Sequence, residues 1–276
     1  ETQLKANFKY DYNTKHKIDY GISSKLYNIN PGEINPSDEN SDVQPLTIDL
    51  ERGLESAIFI TDTFEVNEKL LLNLGLRFSV FTALGASMEN VYEEGGPRNE
   101  STITGIEKFG NNEIIKTYGG PEYRMSLRYF LTPSLSLKGS YNKTLQYIHL
   151  LSNNTTEAPT DTWKLSDFNI GPQKAHQFAL GLYKNVDDKN LVISLEAYYK
   201  IMQDILDYKI GSQLSLNENI EQDLLIGEGK AYGVEFLLKK TSGRLNGWLG
   251  YTYSRSFIKL DSNLREEIVN NGEFFP

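Results

Sequence analysis

Two histidines and two carboxylates occur close together in one segment of the sequence. His149 and His176 flank the segment, and Asp161 and Asp167 lie between them. Imidazole and carboxylate groups together can ligate a metal ion or act as general acid and base, so this spacing permits either kind of site. Unrelated surface residues would give the same pattern, and the third histidine, His16, falls in a short predicted turn. We therefore assign no catalytic and no metal-binding residue.

The chain lacks the motifs of common enzyme classes. It has no P-loop, no G-x-S-x-G, no H-E-x-x-H and no dinucleotide-binding fingerprint. It also has no cysteine, which excludes disulfides, thiol catalysis and cysteine-ligated zinc. The formal net charge of -9 argues against a nucleic-acid partner, because phosphate binding needs a basic surface. The sequence thus predicts no enzyme, no cofactor and no nucleic acid.

Aromatic side chains are concentrated in the same segment, which belongs to a long predicted loop over residues 143–176. Tyr147, His149, Trp163 and Phe168 could stack on a ligand or enclose it. A loop that packs on its neighbours would use the same side chains, and the sequence does not separate the two interpretations. These four residues are the candidate ligand contacts.

The elements that must position these residues are β-strands. Tyrosine and phenylalanine are abundant, with 17 and 13 residues among 276, and both favour strands. Apolar and polar residues alternate in ten segments, and no helix is convincing, so the predicted fold is all-β. The predicted strands are Leu4–Tyr12, Ile18–Ile22, Leu54–Phe64, Leu70–Val80, Tyr123–Leu131, Leu135–Tyr141, Phe178–Leu182, Leu191–Ile201, Tyr232–Leu238 and Leu245–Tyr253.

The predicted connections alternate strictly between short and long, which places every long loop at one edge of an up-and-down sheet. Short turns fall near 13–16, 65–69, 132–134, 185–190 and 240–244, and long loops at 27–53, 82–120, 143–176, 202–230 and from 255 onward. Long loops are uncommon in compact soluble domains. Transmembrane β-barrels have short periplasmic turns, long extracellular loops and strands of about 9–11 residues. The sequence therefore predicts an antiparallel up-and-down transmembrane β-barrel segment of about ten strands.

The two faces of this predicted sheet differ in charge. Tyrosines lie in the apolar phase, many near strand ends, as is typical of the aromatic girdles of membrane barrels. Charged residues of the opposite phase are expected to face a lumen, while Met125, Leu127 and Leu137 face lipid. The lumen-facing set is Arg77, Arg124, Arg128, Lys138, Glu196, Lys200, Glu235 and Lys239. A solvated face of a soluble β-sandwich is the alternative, because alternation alone does not distinguish the two.

Four stretches carry a resemblance to a known family. They are YGGPEYRMSLRYFLTPSLSLKGSYNKTLQYIHLLSN, PTDTWKLSDFNIGPQKAHQFALGLY, LEAYYKIMQDILDYKIGSQLSLN and GEGKAYGVEFLLKKTSGRLNGWLGYTYSRS. From about Tyr118 to Ser256 the chain resembles TonB-dependent outer-membrane receptors, in particular the larger type with a carboxypeptidase-like N-terminal extension. The resemblance implies a plugged barrel of about 22 strands. Residues 1–276 would be a partial barrel domain, without the plug and the terminal strands.

The resemblance also implies a function and partners. The complete receptor would lie in the outer membrane of a Gram-negative cell, contact lipid, and import a substrate when the TonB energy-transducing complex acts through the missing plug. The substrate would be a small molecule, a glycan or a peptide, and a surface lipoprotein would be a further partner. Two other interpretations stay open: a ten-stranded outer-membrane protease that uses Asp and His residues at the loop edge, and a soluble β-sandwich binding module.

Overall fold

The chain is built of β-strands. A computed structural model describes residues 1–276 except 37, 39–40, 43, 153–160, 187–188, 213–215 and 261–268. In the part so described, no helix has the length and hydropathy that a membrane span requires. The strands are β1 (Thr2–Asp11), β2 (His16–Ile29), β3 (Glu33–Ile34), β4 (Leu46–Thr47), β5 (Glu51–Asn67), β6 (Leu70–Leu84), β7 (Ser87–Tyr92), β8 (Ile103–Phe109), β9 (Ile114–Thr132), β10 (Leu135–Gln146), β11 (Ile148–Leu151), β12 (Thr162–Leu165), β13 (Gln173–Val186), β14 (Leu191–Tyr208), β15 (Leu224–Lys240) and β16 (Gly247–Lys259).

Ten of these strands form one antiparallel sheet, which confirms the predicted fold class. Their order is β1-β2-β5-β6-β9-β10-β13-β14-β15-β16, so each strand pairs with the next large strand along the chain. The remaining six strands form three hairpins, β3–β4, β7–β8 and β11–β12, which lie in the long connections. Within the described residues β1 and β16 are the two edges of the sheet, and the barrel is not closed.

Short turns and long connections alternate as predicted. Asn13 and Asn67 shape two of the short turns, because each side-chain oxygen accepts hydrogen bonds from backbone N–H groups two and three residues further on, at 2.8–3.0 Å. The long connections join β2 to β5, β6 to β9, β10 to β13 and β14 to β15. All four therefore lie at the same end of the strands, which we call the mouth end.

The strands extend further toward the mouth end than the sequence predicts. β9, β14 and β15 are 19, 18 and 17 residues long, so the expected length of about 9–11 residues was wrong for them. Tyr27, Phe81 and Ala83 near the mouth end are buried with two loop residues in one apolar cluster. The alternation of apolar and polar residues is less regular there. Apolar side chains take the positions that, further from the mouth end on the same face, hold charged residues.

The cross-strand register defines two faces of the sheet. Arg77 lies opposite Glu122, Arg128 opposite Lys138, and Glu196 opposite Glu235. We call the face that carries them the charged face, and the other the apolar face. The register places all eight predicted lumen residues on the charged face: Arg77, Arg124, Arg128, Lys138, Glu196, Lys200, Glu235 and Lys239. That this face lines a lumen stays a prediction.

Candidate functional site

An ion triad on three neighbouring strands stands at the middle of the charged face. The guanidinium of Arg77 donates to Glu55 Oε1 at 2.7 Å and to Glu122 Oε1 at 2.6 Å. The hydroxyl of Tyr27 donates to the second oxygen of Glu55 at 2.8 Å. Glu122 is buried, so this carboxylate depends on Arg77 to balance its charge. The triad fixes three side chains of the wall in one arrangement.

The sequence predicted Arg77 but missed both of its carboxylate partners. Glu55 belongs to a segment whose alternation is irregular, and Glu122 comes just before the predicted start of its strand at Tyr123. Both partners are identified only by the cross-strand register, which the sequence does not contain. A sequence signal did exist for Glu122, because it is in phase with Arg124 and Arg128 two and six residues further on.

Two of the other predicted residues pack on aromatic rings of the charged face. The guanidinium carbon of Arg128 lies 4.7 Å from the ring centre of Phe130, and Arg128 Nε donates to Ser136 Oγ at 3.2 Å. Lys138 Nζ lies 5.4 Å from the ring centre of Tyr183. These distances are typical of cation–π contacts. The charged face therefore presents aromatic rings as well as charged side chains.

The β11–β12 hairpin and Tyr147 close over the charged face at the mouth end. The ring of Tyr147 stacks on Phe81 with centroids 5.1 Å apart and planes 9° apart, and its hydroxyl is 2.9 Å from Ser79 Oγ. Leu165 of the hairpin is buried in the same cluster. The absence of a side chain at Gly53 makes room for this cluster, since a Cβ there would lie 2.5 Å from Phe81 and 3.2 Å from Leu165.

A largely buried lysine joins this hairpin to the wall. Lys164 Nζ lies 2.7 Å from Glu51 Oε1 and 2.6 Å from Asp167 Oδ2. The other oxygen of Glu51 accepts from the backbone N–H of Leu165 at 2.7 Å. Burial alone would lower the pKa of Lys164, but the contacts with Asp167 and Glu51 outweigh it and raise this pKa well above its usual value. The ammonium group is therefore charged, and it holds two carboxylates together.

The two histidines of the predicted His and carboxylate site are not brought together. His149 is buried in the hairpin, where its Nε2 is 3.0 Å from Ser166 Oγ, and burial lowers its pKa to about 4. His176 lies on the apolar face of β13, with Nδ1 2.9 Å from the hydroxyl of Tyr141. Asp167 is engaged by Lys164 instead. Among the described residues no group of three or more His, Asp or Glu side chains is arranged to hold a metal ion.

The third histidine is more than a turn residue. His16 begins β2, and its Nδ1 lies 2.7 Å from Asp62 Oδ2. Its ring stacks on Phe64 with centroids 4.1 Å apart. The pair lies at the short-turn end of the apolar face, far along the strands from the mouth end.

The four candidate ligand contacts divide into two pairs. Tyr147 and His149 are 2% and 1% exposed, so packing within the protein accounts for both. Trp163 is 47% exposed. Phe168 is partly exposed, with Phe109 at a ring distance of 6.3 Å and Lys116 Nζ 5.8 Å from its ring centre. A role in ligand contact stays a prediction, and the geometry leaves it open for Trp163 and Phe168.

The β7–β8 hairpin connects the loops of the mouth to each other. Asn90 Nδ2 donates to Asn219 Oδ1 at 2.7 Å, and its backbone carbonyl accepts from Asn169 at 3.2 Å. Tyr92 donates to Glu221 Oε1 at 2.7 Å. Burial, and then the nearby charge of Asp167, raise the pKa of Glu89 on the same hairpin to about 7. None of these contacts was foreseen from the sequence, because each joins loops more than 70 residues apart.

A family model described as "TonB dependent receptor-like, beta-barrel" matches residues 1–276. This match extends the resemblance, which the sequence placed at about Tyr118 to Ser256, to the whole chain. No curated protein matches the sequence.

Solved structures share the fold at low sequence identity. The FrpB iron transporter of Neisseria meningitidis, in its apoprotein form, aligns over 98% of this chain and 38% of its own, with 12% identity and a TM-score of 0.59. The siderophore receptor PiuA of Acinetobacter baumannii aligns over 99% and 39%, with 18% identity and a TM-score of 0.56. The ferric-catecholate import receptor Fiu of E. coli K12 aligns over 98% and 38%, with 16% identity and a TM-score of 0.52. The chain thus spans less than two fifths of the length of these proteins.

Proposed function

The chain belongs to the TonB-dependent receptor β-barrel family, and we propose that it forms part of the wall and of the extracellular mouth of a receptor that imports a substrate. Proteins of this family are located in the outer membrane. The proposal depends on one observation: the sheet has one charged and one apolar face, and loops cover the charged face only at the mouth end. That arrangement suits a barrel wall with lipid on one side and a polar lumen, covered by loops at one end, on the other.

The uncovered apolar face favours a membrane protein over a soluble sandwich. Ile58 and Leu180, in the middle of two strands of this face, are 63% and 57% exposed. A sandwich would cover these side chains with a second sheet, and an exposed apolar surface of this extent is typical of a contact with lipid or protein. In the proposed barrel, lipid covers this face, and the eight charged residues led by Arg77 line the lumen.

We further propose that residues 1–276 are one part of a longer barrel domain. The open edges of the sheet at β1 and along most of β16 support this. Residues 247–256 of β16 are exposed on both faces, and among the described residues the outer side of this strand meets only Phe275, through a bridge to Ile258. Open sheet edges do not occur within the hydrocarbon region. The remaining strands and the plug would come from outside these residues.

The partners follow from the same proposal. The TonB energy-transducing complex would act through the plug, and a surface lipoprotein is a further partner at the mouth. The relatives named above are an iron transporter, a siderophore receptor and a ferric-catecholate import receptor, which supports a small-molecule substrate. Glycans and peptides are alternatives. Trp163 and Phe168 are the residues we expect to meet the substrate at the mouth.

In this proposal the barrel itself catalyses no reaction. The protease alternative needs Asp and His residues that converge at the loop edge, and His149 and His176 lie in different surroundings. The family match over the whole chain favours the receptor as well.

A depletion experiment tests import directly. Cells that produce the complete receptor, cells that lack it, and cells that lack the TonB complex would be grown in a mixture of siderophores, glycans and peptides, and the medium analysed by mass spectrometry. We expect at least one compound to disappear only when receptor and TonB complex are both present. Equal depletion without the TonB complex would indicate a passive pore and contradict the proposal.

Spin labels test the orientation of the wall. Labels at Arg124, Arg128 and Lys138 should be quenched by a water-soluble nickel reagent, and labels at Met125, Leu127 and Leu137 by oxygen dissolved in lipid. Equal accessibility of both sets to both quenchers would show that the charged face does not line a lumen.

A further inference from the structure

A groove of about 570 Å³ crosses the apolar face of β6, β9, β10, β13 and β14. Gly139 and Ala197 lie at its floor, in one cross-strand row with Leu127 and Leu180. The row alternates large and small, so the two small residues leave a depression between the leucines. A Cβ on Gly139 would only reach ordinary contact with Leu127, at 3.6 Å, which shows that the backbone does not demand glycine there.

Aromatic rings bound the groove on the side of the mouth. The next row of the apolar face lies two residues nearer the mouth end on each strand. It consists of Tyr141, Phe178, Tyr199 and Tyr232. The rings of Tyr141 and Phe178 are 4.9 Å apart, and those of Tyr199 and Tyr232 are 6.5 Å apart. Tyrosine rings on a lipid-facing surface mark the boundary between hydrocarbon and headgroups. The groove below them therefore lies at the depth of the acyl chains.

The row above the aromatic rings is basic. Lys143 of β10 and His176 of β13 are direct cross-strand partners in this row, so their side chains start about 5 Å apart. Lys143 Nζ lies 5.7 Å from the ring centre of Tyr123, and the hydroxyl of Tyr141 occupies His176 Nδ1, which leaves Nε2 for a ligand.

No carboxylate balances this lysine in the part of the chain that the structure describes. The nearest outward-facing row beyond it holds Lys174, whose ammonium is 2.8 Å from Asp204, and Glu228, which lies opposite Lys259 in register. Lys143 forms no ion pair within 4.0 Å among the described residues. A positive charge thus stands at the headgroup level, directly above an apolar groove.

We propose that the groove binds one phosphorylated membrane lipid, with the phosphate between Lys143 and His176 and an acyl chain over Gly139. The charge and the apolar surface match the two ends of such a lipid. Lys143 and Gly139 are four residues apart on one strand, which is about 13 Å, so a chain anchored at Lys143 reaches past the floor of the groove. The inference rests on the membrane location of the family and is independent of whether the receptor imports a substrate.

The charge is tested by native mass spectrometry of the complete receptor in detergent, with added dimyristoyl phosphatidic acid. We expect Lys143→Gln to lower the bound fraction about fivefold, which corresponds to ~1 kcal/mol for one lysine near an anionic surface. Lys230→Gln is the matched control, because Lys230 belongs to the same row but lies on β15, two strands away from His176. An equal loss in both variants would overturn the proposal.

The acyl chain is tested by filling the floor of the groove. Gly139→Leu should lower phosphatidic acid binding about tenfold, because the new side chain displaces about two methylene groups of the acyl chain from the apolar floor. Ala6→Leu, on the apolar face of β1, should leave binding unchanged, and heat-dependent gel mobility would confirm that both variants fold. Wild-type binding by Gly139→Leu would overturn the assignment of the groove.

Two further probes distinguish a lipid from its parts. Dimyristoylglycerol, which has the same chains without the phosphate, should bind much more weakly than phosphatidic acid. Inorganic phosphate alone should not displace the lipid. If dimyristoylglycerol bound equally well, or if phosphate competed at the concentration of the lipid, the site would not be one for a phosphorylated lipid.

Discussion

The charged face of the sheet is built in two different ways along the same strands. On β6, Arg77 holds two carboxylates in an ion triad, whereas Phe81, four residues further toward the mouth end, is fully buried against Tyr147. The distance between these positions is only about 13 Å along the strand. The register and the face are unchanged, so the difference lies in what covers the face. Around Arg77 no loop covers the charged face in the described part of the chain, and the face carries charged side chains. At the mouth end, side chains of the loops cover the same face, and apolar residues such as Phe81 lie beneath them.

The largest expected effect comes from removing the lysine that fastens the loops to the wall. Lys164→Met leaves Glu51 and Asp167, whose side chains are only 19% and 14% exposed, without the positive charge that balances them, which should cost about 3–5 kcal/mol of stability. We expect hydrogen exchange at residues 147–152 and 162–170 to accelerate strongly, while the charged face around Arg77 stays protected. That outcome would show that the two regions open independently.

The matched control for this variant is an exposed ion pair. Lys174 and Asp204 are both more than 40% exposed, so Lys174→Met should cost less than about 1 kcal/mol. If both lysine variants accelerated hydrogen exchange of the mouth loops equally, burial of the ion pair would not explain why the mouth is stable.

A charge placed on the apolar face should cost somewhat less. Ile58→Arg points into the proposed lipid and should lose about 2–4 kcal/mol in guanidinium unfolding from phospholipid vesicles. Thr61→Arg, on the charged face of the same strand, lies opposite Asp19 and should be tolerated. Equal stability of the two variants would contradict a lipid contact on the apolar face.

Crowding the mouth gives an intermediate effect. In Gly53→Ala the new methyl group would lie 2.5 Å from the ring of Phe81, which should cost about 1–3 kcal/mol by overpacking. Gly120→Ala on β9 is the control, because its nearest new neighbour is at 3.5 Å. Adding Phe81→Leu to Gly53→Ala should restore part of the loss, and a simple sum of the two single effects would show that Phe81 is not the obstacle.

The alternation of residue types was enough to predict the wall of the sheet. Ten strands, their antiparallel order and the edge that carries the long loops all follow from period-two patterns and turn residues. The phase of Arg124 and Arg128 agrees with the register for the same reason. These features are local, since each depends on residues within one strand or one turn.

The mouth could not be predicted in the same way. The contacts of Lys164 with Glu51, and of Tyr147 with Ser79, join positions 113 and 68 residues apart. The hairpins β7–β8 and β11–β12 were assigned to loops, because their strands are short and lack a clear alternation. Trp163 and Phe168 were found by their aromatic character alone, and Glu55 and Glu122 were missed because register decides which charges meet.

The smallest net effect is expected from pH, because two titratable groups at the mouth, the buried His149 and the half-buried Glu89, oppose each other. Burial lowers the pKa of His149 to about 4 from a usual value of 6.5. When the loops open, His149 takes up a proton below pH 6.5, so the closed mouth loses stability as pH falls from 6.5 to 4. The pKa of Glu89 is raised to about 7 from 4.5 by burial and by Asp167. Opening releases its proton between pH 4.5 and 7, so the closed mouth loses stability as pH rises through that window.

Single substitutions should separate the two opposing slopes. Glu89→Gln leaves His149 alone, and exchange at residues 162–170, corrected for its intrinsic pH dependence, should then accelerate as pH falls from 6.5 to 4.5. His149→Asn leaves Glu89, and exchange should accelerate as pH rises from 4.5 to 7. Each slope should approach tenfold per pH unit at most, since one proton is linked to opening. The same sign of slope in both variants would mean that Lys164, Asp167 and Glu221, which surround Glu89, control the mouth instead, and that the contrast with the charged wall is not set by these two groups.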